Sequence, residues 1–121
     1  MESILNSIKQ MLNINEADTN FDTDIIIHIN SVFSTLKQIG VGPEEKFRII
    51  DDKPIWSDFT GEDYDYDDVK TYVYLKVRKV FDPPASSVVM AAMNEEMDEI
   101  EWRLSVTASN KKMEEDEEED G

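Results

Sequence analysis

The chain has 121 residues, 40% of them hydrophobic and 33% charged, with a formal net charge of −16. This size suits one domain that buries roughly two-thirds of its unfolded surface, and the lack of cysteine excludes disulfides, thiolate metal sites and cysteine nucleophiles together. Residues 111–121 account for −5 of the charge and the rest of the chain for −11, so the body itself is acidic, which excludes a DNA binder that needs a basic footprint.

The opening, MESILNSIKQML, has no basic leader ahead of a long apolar run, so no signal peptide is expected. No apolar run approaches the roughly 20 residues of a membrane span, and a cytoplasmic location is expected. Over residues 2–12, Ile4, Leu5, Ile8, Met11 and Leu12 recur at helical spacing and predict a first helix. NINEADTN then reads as a loop. Asp22 or Thr23 is placed to cap a second helix, whose apolar face is Ile25, Ile29, Val32, Leu36 and Ile39, widened by Ile26 and Phe33. Gly40 is its left-handed stop and Val41 its hydrophobic closure.

Residues 41–62 carry Gly42, Pro43, Pro54 and Gly61 among short apolar pieces, and read as a long irregular loop. KFRII within it reads as a brief strand or one arm of a short hairpin, with too little around it to build a sheet. Trp56, Phe59 and Phe47 favour an ordered loop. In YDDVKTYVYLKVRKVFD, strict alternation fails, whereas helical spacing gathers Val69, Tyr72, Val73, Val77, Val80 and Phe81 on one face. Asp82-Pro83-Pro84 must end this third helix, because proline lacks the N–H and its ring clashes with the preceding turn. Ser86 or Ser87 can cap the next helix. Val89, Met93, Met97, Ile100 and Leu104 mark this fourth helix, of roughly 18–20 residues.

The expected architecture is all-α: a small four-helix bundle-like domain over residues 1–107, with a long loop between its second and third helices. Residues 108–121 form a run of like charges with almost no apolar residue, and are expected to be a disordered acidic tail.

Little in the chain suggests chemistry. Asp63, Asp65 and Asp67 match the first three ligand positions of a calcium loop, but Asp68 stands where a turn glycine is needed and Tyr74 where a bidentate glutamate belongs. An acidic helix N-terminus is the better reading. His28, the only histidine, lies in an apolar run without a partner base. Glu95, Glu96, Asp98, Glu99 and Glu101 read as the wet face of the last helix. No catalytic residue, metal site or cofactor is assigned. One cluster stands out: Lys70, Lys76, Arg78 and Lys79 are four of only twelve basic residues and share one helix. They form either a solvated face or a surface that meets an acidic face of another copy, as in head-to-tail packing.

ILNSIKQMLNI, FDTDIIIHINSVFSTLKQIGVGP, WSDF, VKTYVYLKVRKVFDPPASSV and EWRLSV, in this order and spacing, resemble the head–tail connector (adaptor, or head-completion) proteins of tailed bacteriophages. The likeness runs from about residue 3 to 107, and FDPP before a helix ending in EWRL is its most specific part. The resemblance implies a non-enzymatic virion protein that forms a ring of about twelve copies under the portal. Such a ring extends the channel through which genomic DNA passes without specific binding, and offers a platform to a stopper or tail-completion protein. Assembly would take place in the host cytoplasm, without membrane contact. On this basis Lys70, Arg78 and Lys79 are candidates for subunit pairing and Trp102 and Arg103 for portal or inter-subunit contact. Asp82, Pro83 and Pro84 form the helix elbow, and Trp56 and Phe59 anchor the loop. The competing expectation is an acidic DNA mimic that inhibits a host nuclease, although the cations of the third helix break the unbroken negative face such a mimic wants.

Overall fold

The computed structural model describes residues 2–120, with side chains through Glu117; Gly121, the last residue of the expected tail, lies outside the described residues. Among these the chain forms five helices: α1 (Ile4–Met11), α2 (Asp22–Gln38), α3 (Trp56–Thr60), α4 (Tyr66–Phe81) and α5 (Ser87–Asp120). The all-α class holds. The fifth element is α3, a single turn inside the long loop. It has no side-chain cap, since Ile55 offers no acceptor, but the Asp58 carboxylate accepts from the Ile55 N–H at 3.0 Å.

α4 is the axis of the bundle and packs against α1, α2, α3 and α5. Surrounded in this way, it buries Val69, Tyr72, Val73 and Val77 as the spacing predicts, and Leu75 on the other side as well. α2 buries Ile25, Ile29, Val32, Phe33 and Leu36. It ends as expected: Gly40 takes φ +86°, and the N–H of Val41 returns 2.9 Å to the Leu36 carbonyl, with Val41 itself buried. Its start differs. Asp22 and Asp24 lie in the first turn, Phe21 precedes them, and no side chain caps. Asp22 is spent elsewhere, on Lys9.

The expected hairpin does not form. KFRII forms no strand, and its backbone pairs instead with a side chain: Asn30 on α2 donates to the Ile49 carbonyl at 2.9 Å and accepts from the Ile49 N–H at 2.8 Å. One amide thus satisfies the groups that a partner strand would have taken. The only β-type pairing among the described residues is an isolated bridge between Ser3 and Ile55. Phe47 and Phe59 pack on Phe33 with centroids 5.1 Å and 4.5 Å away, so the loop is tied to α2 by aromatic contacts.

The larger correction concerns the tail. α5 runs unbroken from Ser87 to Asp120, about 51 Å of helix, and the expected disorder from residue 108 is not seen. No glycine or proline interrupts the chain between Pro84 and Gly121. Ala, Met, Glu and Lys are strong helix formers, and the segment is tied down where it leaves the body. Ala108 is buried, and Lys111 pairs with Asp63 at 2.9 Å and lies over the Tyr64 ring. These contacts outweigh the like-charge repulsion on which the expectation of disorder was based.

Candidate assembly site

The cations of α4 do not act as one cluster. Lys70 lies 2.9 Å from a Glu2 carboxylate oxygen that also accepts from the Tyr66 hydroxyl. These bonds pull the Glu2 carboxyl below its ordinary range, Tyr66 contributing most, and the Glu2 bond raises Lys70. Lys70 therefore holds the N-terminus onto α4. Arg78 donates to the Tyr74 hydroxyl at 3.2 Å, and the Lys76 ammonium stands 5.6 Å from the Tyr72 ring centroid. Lys79 is exposed. Among the described residues, Lys76, Arg78 and Lys79 form no ion pair, so the cations without one gather at the C-terminal end of α4, near the elbow.

Trp102 and Arg103 are adjacent but do different things. Arg103 reaches back to the start of α4 and grips both Asp68 carboxylate oxygens, at 2.9 Å and 3.3 Å, with Glu99 3.3 Å from its other nitrogen. The Asp68 bond raises the Arg103 pKa above its ordinary value. Trp102 has no such role and is 66% exposed. Two turns of pairing, Arg103 with Asp68 and Glu101 with the Tyr72 hydroxyl at 2.9 Å, set α5 antiparallel to α4. Burial, then the nearby Glu101, pushes the Tyr72 phenol up.

The elbow closes as its residues dictate. The Asp82 N–H bonds the Arg78 carbonyl at 2.9 Å, the two prolines stop the helix, and Ser86 accepts from the Val89 N–H at 3.3 Å. Trp56 and Phe59 lie in the core, where the Trp56 indole donates to Ser7 Oγ at 2.7 Å. Two of the acids that resemble a calcium loop have separate tasks, since Asp63 holds Lys111 and Asp65 caps α4 by accepting from the Asp68 N–H at 3.0 Å, while the neighbouring Asp68 holds Arg103. Among the described residues no acidic or histidine cluster is arranged to hold a metal ion. His28 is half-buried on α2.

Sequence reasoning missed the buried Lys9, 1% exposed. Its ammonium donates to the carbonyls of Glu16 (3.0 Å) and Asp18 (2.8 Å) and sits 2.8 Å from Asp22 Oδ1. The contact with Asp22 is an ion pair off the line of a hydrogen bond, so that oxygen has no hydrogen-bond partner among the described residues. A lysine beside Ile8 on the apolar stripe, with Glu16, Asp18 and Asp22 after it, was the available signal.

The chain is thus a small all-α domain that carries, among the described residues, cations without an ion pair at one bend and an exposed tryptophan on its longest helix. The chain belongs to the phage connector protein family, whose sequence model matches residues 4–111. No curated protein and no solved structure matches it. Membership gives the chain a structural role at the phage neck, in association with other head and tail components, and lends no support to a nuclease-inhibiting DNA mimic. Among the described residues no helix is long and apolar enough to cross a membrane.

Proposed function

We propose that the chain is one subunit of a ring of about twelve copies that sits between the portal and the stopper or tail-completion protein. The family match over residues 4–111 carries this reading. The charge fits it: a collar with −16 per subunit repels the phosphates of passing DNA, so the genome slides through without being held. The role is mechanical and electrostatic rather than catalytic. The Asp82-Pro83-Pro84 elbow fixes α4 against α5, so that every copy presents the same two surfaces, and the buried Trp56 and Phe59 hold the 41–62 loop to the body. Trp102 is left free for a portal or neighbouring subunit.

Electron microscopy of particles made without this protein tests the reading. Filled heads that leak DNA and carry no tails are expected. A virion map that locates the protein away from the neck, or tight binding of duplex DNA at physiological salt, would overturn it.

A further inference from the structure

The apolar stripes of α4 and α5 continue past the end of the bundle. Val80 lies one turn beyond Val77 on the face that α4 buries, yet it is 60% exposed. Val89 lies one turn before Met93 on the buried face of α5, yet it is 42% exposed. Phe21, edge-on to Phe81 at 5.6 Å, is 44% exposed at the same end, and Val88 is 77% exposed. Residues 80–94 contain a single charge, Asp82, in a chain that is one-third charged. Core-type residues that the subunit itself does not cover mark a surface completed from outside.

The same molecule carries a second apolar surface that fits this one. Trp102 falls midway between the buried Ile100 and Leu104, so it faces directly away from the core, with the 38%-exposed Val106 one turn on. Exposed Glu95, Asp98 and Glu99 flank Trp102 on that side of the helix. The elbow end carries the opposite charge, because Lys79 and Arg78 there form no ion pair among the described residues. We propose that the elbow end of one copy is covered by the outer face of α5 of the next, with Trp102 and Val106 against Val80, Val88 and Val89, and with Lys79 facing Glu95 and Asp98. The two patches differ, so the contact is head-to-tail and propagates around a ring rather than ending at a pair. Trp at the centre with charges around it is the composition that concentrates binding energy. The contact names the partner surface for the ring reading and rests on it.

The chain has no cysteine, so every disulfide reports an introduced pair. Val88→Cys and Val106→Cys variants, both at exposed sites, are mixed and mildly oxidised, with Gln10→Cys plus Val106→Cys as the control mixture. The expected result is a Val88–Val106 heterodimer several-fold more abundant than the control product, and a ladder of covalent oligomers from the chain that carries both changes. Lys79→Glu should lower the yield and Glu95→Lys in the partner copy should restore it. A yield equal to the control, or homodimers through Val88→Cys as the main product, overturns the contact. Rings seen at the neck together with failed trapping would keep the ring and discard this surface. A trapped ladder from a protein located away from the neck would do the reverse.

Discussion

Replacing Lys9 with methionine isolates the energetic weight of one buried ammonium. Methionine fills most of the volume of the lysine stem, so the change removes charge and donors more than packing. Three acceptors then lose their partner: the carbonyls of Glu16 and Asp18, and the Asp22 carboxylate, whose side chain is 25% exposed. Each orphaned carbonyl costs about 1 kcal/mol, and a carboxylate left without its cation costs another 1–2 kcal/mol or so once its partial exposure is allowed for. The expected loss is about 3 kcal/mol, against a total stability of roughly 6–18 kcal/mol for a domain of this length. In a thermal melt this corresponds to a drop in Tm of about 10 °C. Urea unfolding monitored by circular dichroism measures it, with an unchanged slope showing that the unfolded state is not altered. Adding Asp22→Asn to the variant should recover about 1 kcal/mol, because the uncompensated charge goes. A single variant within about 0.5 kcal/mol of the parent would refute the reasoning, since the ammonium would then have to be hydrated in the folded chain.

Gly42→Ala should destabilise by about 2–4 kcal/mol, because φ is +107° there and an added Cβ would meet the Phe59 ring at 2.5 Å; chemical denaturation reads it. Trp56→Ala should cost about 3–5 kcal/mol, whereas Trp102→Ala should stay within about 0.5 kcal/mol, and comparable losses from both would contradict their burial. The latch among Glu2, Tyr66 and Lys70 should respond to pH in a defined direction. The folded Glu2 carboxyl is lowered from 4.5, so its stabilisation is complete above that value and fades as pH falls through the lower folded one. At this exposed site the effect amounts to a few tenths of a kcal/mol, and a lower amide protection factor in the first turn of α1 under acid, taken relative to the intrinsic exchange rate at that pH, would reveal it.

The features legible in the chain were those that act locally. Helical spacing, the Gly40 stop and the double proline each depend on a few neighbouring residues, and all three appear as read. The hairpin expectation failed because the partner of Ile49 is a side chain far away in sequence, and no local pattern encodes Asn30 as a substitute strand. The tail expectation failed through a contest of terms: charge argued for disorder, while propensity and the Lys111–Asp63 anchor kept α5 helical. Lys70, Arg78 and Lys79 share one helix, but tertiary contact divides them as a pairing set, since only the fold brings Glu2 beside Lys70. Likewise the spacing assigns Val80 and Val89 to a core stripe. Periodicity gives the face of a helix but not the height at which its neighbours end.

The two tryptophans make the protein its own reporter. One indole is sealed inside and the other stands in water, so their fluorescence separates by colour. Emission from Trp56 should shift to the red only when the fold opens, while emission from Trp102 should shift to the blue when a neighbour settles over it. With either one replaced by phenylalanine, a single cuvette distinguishes melting from docking without any attached dye.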